Sequence, residues 1–342
     1  GRWSRGLGDV YKRQGQGARS RFGEHLWLDI RLLGADHING QLREVKEICQ
    51  YFLGIDPAQE LIPVRPAQHY SMGGVRTDPL GQSPQLKGLF SVGESACWDM
   101  HGFNRLGGNS VAETVVAGMI VGESIADFCA SDEGNLQLST TLANEFLRRE
   151  TEKLKGIADN TGKESAVELT RQMQETMTNK VGIFRHGDTL QQAVNELQDL
   201  QRRAAQVGLR STARGPNPEL VAAYRLPRML KLALCVAAGA LQRTESRGAH
   251  FRDDFPQRND LQWMQRTLAS WPEASDELPT IHYEPLDIQQ MELPPGWRGY
   301  GARDYIEHPD TARREQQIEA LLATAGKLDR HQRQDLLMPF LH

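Results

Sequence analysis

Polar and apolar residues follow recognisable periods along most of this chain from Glu24 onward. His25-Leu26-Trp27-Leu28-Asp29-Ile30 alternates in the period of two that a half-buried strand requires. Leu42, Val45, Ile48, Cys49, Phe52 and Leu53 then fall on one stripe, which predicts an amphipathic helix over 42–53 stopped by Gly54. Pro57, Pro63 and Pro66 mark an irregular connection. The apolar run Leu89-Phe90-Ser91-Val92 closes on Gly93-Glu94, and reads as a strand whose carboxyl end presents an acid. A helix is expected over 111–130, and further helices over 138–158, 164–180, 188–207 and 217–242. Leu190, Val194, Leu197 and Leu200 form the apolar stripe of the fourth of these five. Short loops between such helices predict an antiparallel bundle, and Met229–Leu241 reads as a buried helix despite Lys231. Beyond an alternately basic, acidic and aromatic stretch (243–271), a strand over 279–283 and a charged helix over 310–325 are expected.

Composition narrows the classes. The 342 residues carry a net charge of −4, which argues against a nucleic-acid binder, and 39% hydrophobic content fits an ordinary folded protein. No run of 18 apolar residues occurs. Four scattered cysteines without a CxxC pair fit reduced thiols, and neither a metal site nor a disulfide framework is expected. Residues 1–23, rich in Gly and Arg without a hydrophobic period, are unassigned and read as a segment foreign to the fold. Gly6-x-Gly8 and Gly15-x-Gly17 are near-misses to a dinucleotide fingerprint, since neither has the third glycine in place.

The chemistry concentrates in residues 69–113, where a histidine, an arginine and a helix start all adjoin glycines. Glycine lets a flat ligand lie against the main chain. Arg105 offers a planar fork matched to a carboxylate, and His69 a directional donor. Each could equally be a packing residue when taken singly, and His101 is a weaker candidate for the same pocket. Glu94 could accept hydrogen bonds from ligand hydroxyls, or be a solvated turn residue. Ser110 and Glu113 have the S-x-x-E spacing of a capping box at a helix start, an end that favours anions. Gly118 and Gly122, four apart, predict close packing of that helix on a sheet or on a cofactor.

HYSMGGVRTD (69–78), GLFSVGE (88–94) and HGFNRLGGNSVAE (101–113) together resemble the flavoprotein subunit of fumarate reductase and succinate dehydrogenase. GIFR (182–185) and RTESRGAH-FRDDFPQRND (243–260) agree with it, and the resemblance runs in order over about 24–290. It implies interconversion of fumarate and succinate by hydride transfer at N5 of FAD. His69 and Arg105 would bind the substrate carboxylate, while Glu94, Ser110 and Val111 would contact FAD. It implies an α/β plus α fold. Residues 24–66 would end a capping domain, 67–130 would be the C-terminal piece of an FAD-binding domain, 131–245 a helical bundle, and 246–342 a C-terminal domain and tail. The implied partners are an iron–sulfur subunit and, through it, a cytochrome b-type membrane anchor. The implied location is peripheral, on the cytoplasmic face of the bacterial inner membrane.

Members of that family run to nearly twice this length, and their proton-donating arginine matches no residue here. No catalytic residue is therefore assigned, and the 342 residues are expected to be a C-terminal fragment, inactive alone. Two alternatives remain from the sequence: a soluble L-aspartate oxidase-type flavoenzyme, and a non-catalytic helical module that docks an iron–sulfur subunit.

Overall fold

The computed structural model describes residues 17–65, 69–102, 105–134, 139–211, 215–273, 276–287, 309, 311–327 and 332. The expected foreign segment lies outside them up to residue 16. The chain is mixed α and β and divides into two compact units, Gly1–His69 and Tyr70–His342.

In the first unit, β1 (Ala18–Ser20), β2 (Gly23–Leu28) and β3 (Ile62–Val64) form an antiparallel sheet in that order. The predicted strand is thus present, shifted two residues toward the N-terminus. Between β2 and β3 run α1 (Ala35–Gln41), which periodicity did not predict, and α2 (Arg43–Ile48). A π-helical turn, Cys49–Leu53, continues α2 and ends on Gly54 at φ 68°, a left-handed position that suits glycine. Cys49, Ile55 and Ile62 pack with Leu28, Ile30, Leu53 and Val64. Val45, Ile48 and Phe52 of the predicted stripe remain exposed, because the helix turns only its Cys49 edge onto this small core.

The second unit is organised by helices. After β4 (Val75–Arg76) and β5 (Ala96–Cys97), which pair in parallel, come α3 (Asn109–Ala130) and α4 (Thr140–Ala158). The core is built by α5 (Ala166–Lys180), α6 (Gly187–Ala204) and α7 (Pro218–Gln242), which pack pairwise. Each starts where the sequence signals it. Ser165 accepts from the Glu168 N–H, His186 from Asp188, and Asn217 from Glu219 and Leu220 with Pro218 in the first turn. The predicted stripe of α6 is buried against Leu169, Leu226, Leu230 and Leu234, all fully buried. In the Met229–Leu241 stretch Leu232 and Val236 are exposed, so α7 is amphipathic there. The Lys231 ammonium lies over the Trp271 ring, 4.5 Å from its centre.

Residues 243–264 wrap the end of α7. β6 (Phe184–Arg185) pairs in parallel with β7 (Phe251–Arg252). The Arg252 guanidinium, fully buried, donates to the carbonyls of Ala240, Leu241 and Arg243 at the end of α7. Those are carbonyls that a helix end leaves without intrahelical partners. Arg252 also grips Asp254 with two bonds of 2.8 and 2.7 Å, and Asp254 accepts the Gly187 N–H at the start of α6. One ion pair thus sets a cation on the negative end of α7 and an anion on the positive end of α6. The chain closes with an antiparallel hairpin of β8 (Gln265–Ser270) and β9 (Thr280–Pro285), then α8 (Thr311–Ala325). β9 and α8 match expectation, whereas β8 was not predicted.

Replacing Arg252 by Met removes the side-chain donor of the Ala240 and Leu241 carbonyls and the cation of Asp254. We expect an unfolding free energy lower by about 3–5 kcal/mol in urea titration, against under about 1 kcal/mol for Met at the exposed Arg171. His250 supplies a pH test. Its Nδ1 accepts from Arg185 and its Nε2–H donates to the Arg243 carbonyl. Burial, then the Arg185 charge, push its pKa from 6.5 down to about 3, so the folded protein keeps it neutral. The stabilisation is full above pH 6.5 and is lost as pH falls toward about 3, because the unfolded chain takes up the proton first. His250→Asn should flatten the pH dependence of the urea midpoint across that window.

Candidate functional site

Glycines at positive φ shape the site in the second unit. Gly74 (φ 126°) lets two backbones touch, since a Cβ there would lie 2.4 Å from the Ser95 carbonyl oxygen. That approach brings Val75 beside Ala96 and Arg76 beside Cys97 in the β4–β5 pair. Gly93 (φ 70°) turns the chain into a short 3-10 turn, Gly93–Ser95, so the expected strand through Leu89–Val92 reduces to one bridge from Phe90 to Gln82. Glu94 therefore sits exposed in that turn, two residues before β5 rather than at a strand's carboxyl end.

The capping box is also not formed. Gly108 (φ 83°) precedes α3 with no side-chain cap, and Ser110 is the second helical residue, its carbonyl taking the Thr114 hydroxyl. Glu113 turns inward instead. It is 3% exposed, and its carboxylate accepts Trp98 Nε1–H and bonds His101 Nε2, both at 2.9 Å. Glu113, Ala117 and Val121 form the buried stripe of α3. The opposite face, with Val111, Val115 and Met119, is exposed, and a Cβ on Gly118 or Gly122 would meet open space. The close packing expected at those glycines is absent among the described residues because they lie off the buried stripe.

Above Glu113 the rings stack. The Tyr70 ring stands edge-on to His101, centroids 6.0 Å apart, and the Arg105 guanidinium lies 5.7 Å from the Tyr70 centroid. Burial, then the Glu113 charge, push the Tyr70 hydroxyl above its ordinary pKa, so it stays protonated beside the carboxylate. Arg105 Nε is buried with no hydrogen-bond partner. Tyr70, Met72, Cys97, Trp98, His101 and Glu113 line a small cavity of about 50 Å³. His69 is exposed at the end of the first unit, whereas Arg105 belongs to the second. Sequence reasoning missed Trp98 and Glu113, although a carboxylate on the 113–117–121 stripe was a readable signal. No group of acidic, His and Cys side chains suited to a metal occurs among the described residues.

Residues 170–300 match the family model for the fumarate reductase flavoprotein C-terminal region, and 7–111 match that of an FAD binding domain. The second match begins inside the segment that composition left unassigned. The fumarate reductase flavoprotein subunit of Helicobacter pylori is 45% identical over 96% of this chain and 50% of its own length. The succinate dehydrogenase flavoprotein subunit of Bacillus subtilis is 32% identical over 78% of this chain and 45% of its own. A solved Escherichia coli quinol fumarate reductase chain superposes with a TM-score of 0.79 at 32% identity, covering 86% of this chain and 49% of that one. The chain belongs to the fumarate reductase/succinate dehydrogenase flavoprotein-subunit family. It spans about half the length of the curated relatives it matches.

This is a family of FAD-dependent oxidoreductases, and FAD is the cofactor that the matched domain model assigns. The residues of this flavoprotein-subunit chain fit that group. The start of α3 is uncapped by any side chain, flanked by exposed Gly107 and Gly108, and open to a planar ligand with anionic edges.

Gly73 and Gly74 separate backbone strain from close approach. Both hold positive φ, but a Cβ on Gly73 meets nothing within 4 Å. Gly73→Ala should cost about 1–2 kcal/mol, and Gly74→Ala at least about 2 kcal/mol more in urea titration, because a backbone carbonyl cannot yield.

Proposed function

We propose that this chain is part of the flavoprotein subunit of a respiratory fumarate reductase/succinate dehydrogenase, which interconverts fumarate and succinate. The observation that carries the reading is Arg105: its Nε is buried and unpartnered, and its guanidinium is held by the face of a tyrosine. A buried N–H without an acceptor is costly, and a substrate carboxylate would supply the missing partner in two-point fashion. His69 would be a further donor to the substrate. FAD, when bound, supplies the two-electron exchange by hydride transfer at its N5.

Around it, this chain's own residues position and polarise. The Ser110 and Val111 N–H groups at the open helix start favour negative charge on the cofactor edge, and Glu94 accepts from its hydroxyls. Donors fixed in advance at the carboxylate stabilise charge that develops along the diacid, more so once water is excluded. Proton donation is assigned to no residue of this chain.

In this reading residues 24–66 end the capping domain, 67–130 complete the FAD domain, 131–245 form the helical domain and 246–342 the C-terminal domain. Electrons pass to an iron–sulfur subunit and, through it, a membrane anchor. No described helix is long and apolar enough to cross a membrane. Such partners would hold the chain peripherally at the cytoplasmic face of a bacterial inner membrane.

The test uses anaerobic reduction by succinate of the FAD-loaded protein that carries these residues within its full reading frame. Succinate should bleach the flavin band, and Arg105→Lys should slow bleaching about 100-fold or more. Bleaching that is unaffected by the substitution, or driven by aspartate and not succinate, would refute the assignment. The 342 residues alone are expected to show neither stoichiometric flavin nor turnover.

A further inference from the structure

The turn that carries Trp98 and His101 is held from its far side by the β8–β9 hairpin. Asp99 is the one non-glycine residue at positive φ (73°) among the described residues, a conformation that only surrounding structure can hold. Its carbonyl accepts the Gly102 N–H and closes the turn. Its carboxylate is gripped by Arg266 of β8 through two bonds, Nε to Oδ1 at 2.7 Å and Nη2 to Oδ2 at 2.5 Å.

Arg266 is itself fixed. It faces Glu284 across the strand pair and bonds to it, and Glu284 also takes Arg76 Nη2 at 3.1 Å. Arg76 Nη1 lies 3.8 Å from Asp99 and donates to the Thr77 carbonyl at 2.6 Å. Two cations and two anions therefore alternate around a closed ring that joins β4, the 98–102 turn and the hairpin. Such a ring orders its members together, so the entropy of fixing each fork is shared.

We infer that Arg266 is a positioning residue for the proposed diacid site: through Asp99 it fixes the turn whose Trp98 and His101 clasp Glu113, and so sets the Tyr70–Arg105 stack. This rests on the diacid reading above, but its mechanical part does not require ligand. Arg266 is not itself a lining residue of the cavity; it reaches the lining only through Asp99. It acts through a backbone conformation, so glycine at position 99 should make it dispensable, because glycine adopts φ 73° without help.

The experiment is a double-mutant cycle on the 342-residue chain, with Arg266→Gln made in the Asp99 parent and in Asp99→Gly. Amide hydrogen exchange is followed over 97–105, with α5–α7 as internal control. In the parent, Arg266→Gln should raise exchange of the turn about tenfold, and in Asp99→Gly less than about twofold. Effects that agree within about threefold in the two backgrounds, including no effect in either, overturn the inference. They would mean that Arg266 merely braces the hairpin through Glu284. Succinate titrated onto the FAD-loaded protein that carries these residues within its full reading frame gives a second reading: Arg266→Gln should weaken it about fivefold in the parent and leave Asp99→Gly unchanged. Succinate that fails to bind even the parent overturns the diacid reading, while the exchange cycle still decides the tie.

Discussion

The second unit depends on one ion pair whose guanidinium is buried. Arg252 and Asp254, two residues apart, close the end of α7 and the start of α6 at once. Helix ends carry unsatisfied groups and opposite partial charges, and this pair answers both with the matching sign. With the helix ends joined, Leu190, Leu197, Leu226, Leu230 and Leu234 are held at full burial. From the same corner Arg243 donates to the carbonyls of Trp263 and Gln265 and so seats the start of β8. The next residue of β8 is Arg266. A continuous path of charged bonds thus leads from the helical core to the 98–102 turn.

The 243–260 loop has little regular structure, and balanced charge takes its place. Glu245 is fully buried and accepts from Arg243, Arg247 and the Asn259 N–H. Asp260, 3% exposed, accepts from Arg247 and Arg258. Each buried carboxylate meets two guanidiniums, which is what makes removing it from water tolerable. A loop held this way is rigid without a ladder, and it can carry side chains from one element to another at fixed distance.

What the sequence revealed follows from which interactions are local. Helices α4–α7 were legible because capping residues and apolar stripes act within one element, as with Asn217-Pro218 or Leu190–Leu200. The β8 strand was not, since Gln265–Ser270 alternates weakly and depends on β9 for its pairing. Glu113 was misassigned because three-residue spacing from Ser110 mimics a capping box, whereas its true partners lie 12 and 15 residues upstream. Arg252 showed only as one charge among many in a mixed stretch. The arginine and glycines of the candidate site were legible as residue types, but the tyrosine that supports Arg105 was not, because a cation–π contact leaves no spacing signature.

The arginines of the second unit differ in what their forks meet. Arg243, Arg247, Arg252 and Arg266 each spend their fork on carboxylates or carbonyls of the chain, and each joins two elements. Carboxylates buried nearby, Glu113 and Glu245, are likewise saturated. Arg105 differs: it leans on a ring, and its buried Nε donates to nothing. A buried N–H without an acceptor, beside a glycine-lined helix start, is a place where an outside acceptor would gain a bond that the chain does not supply.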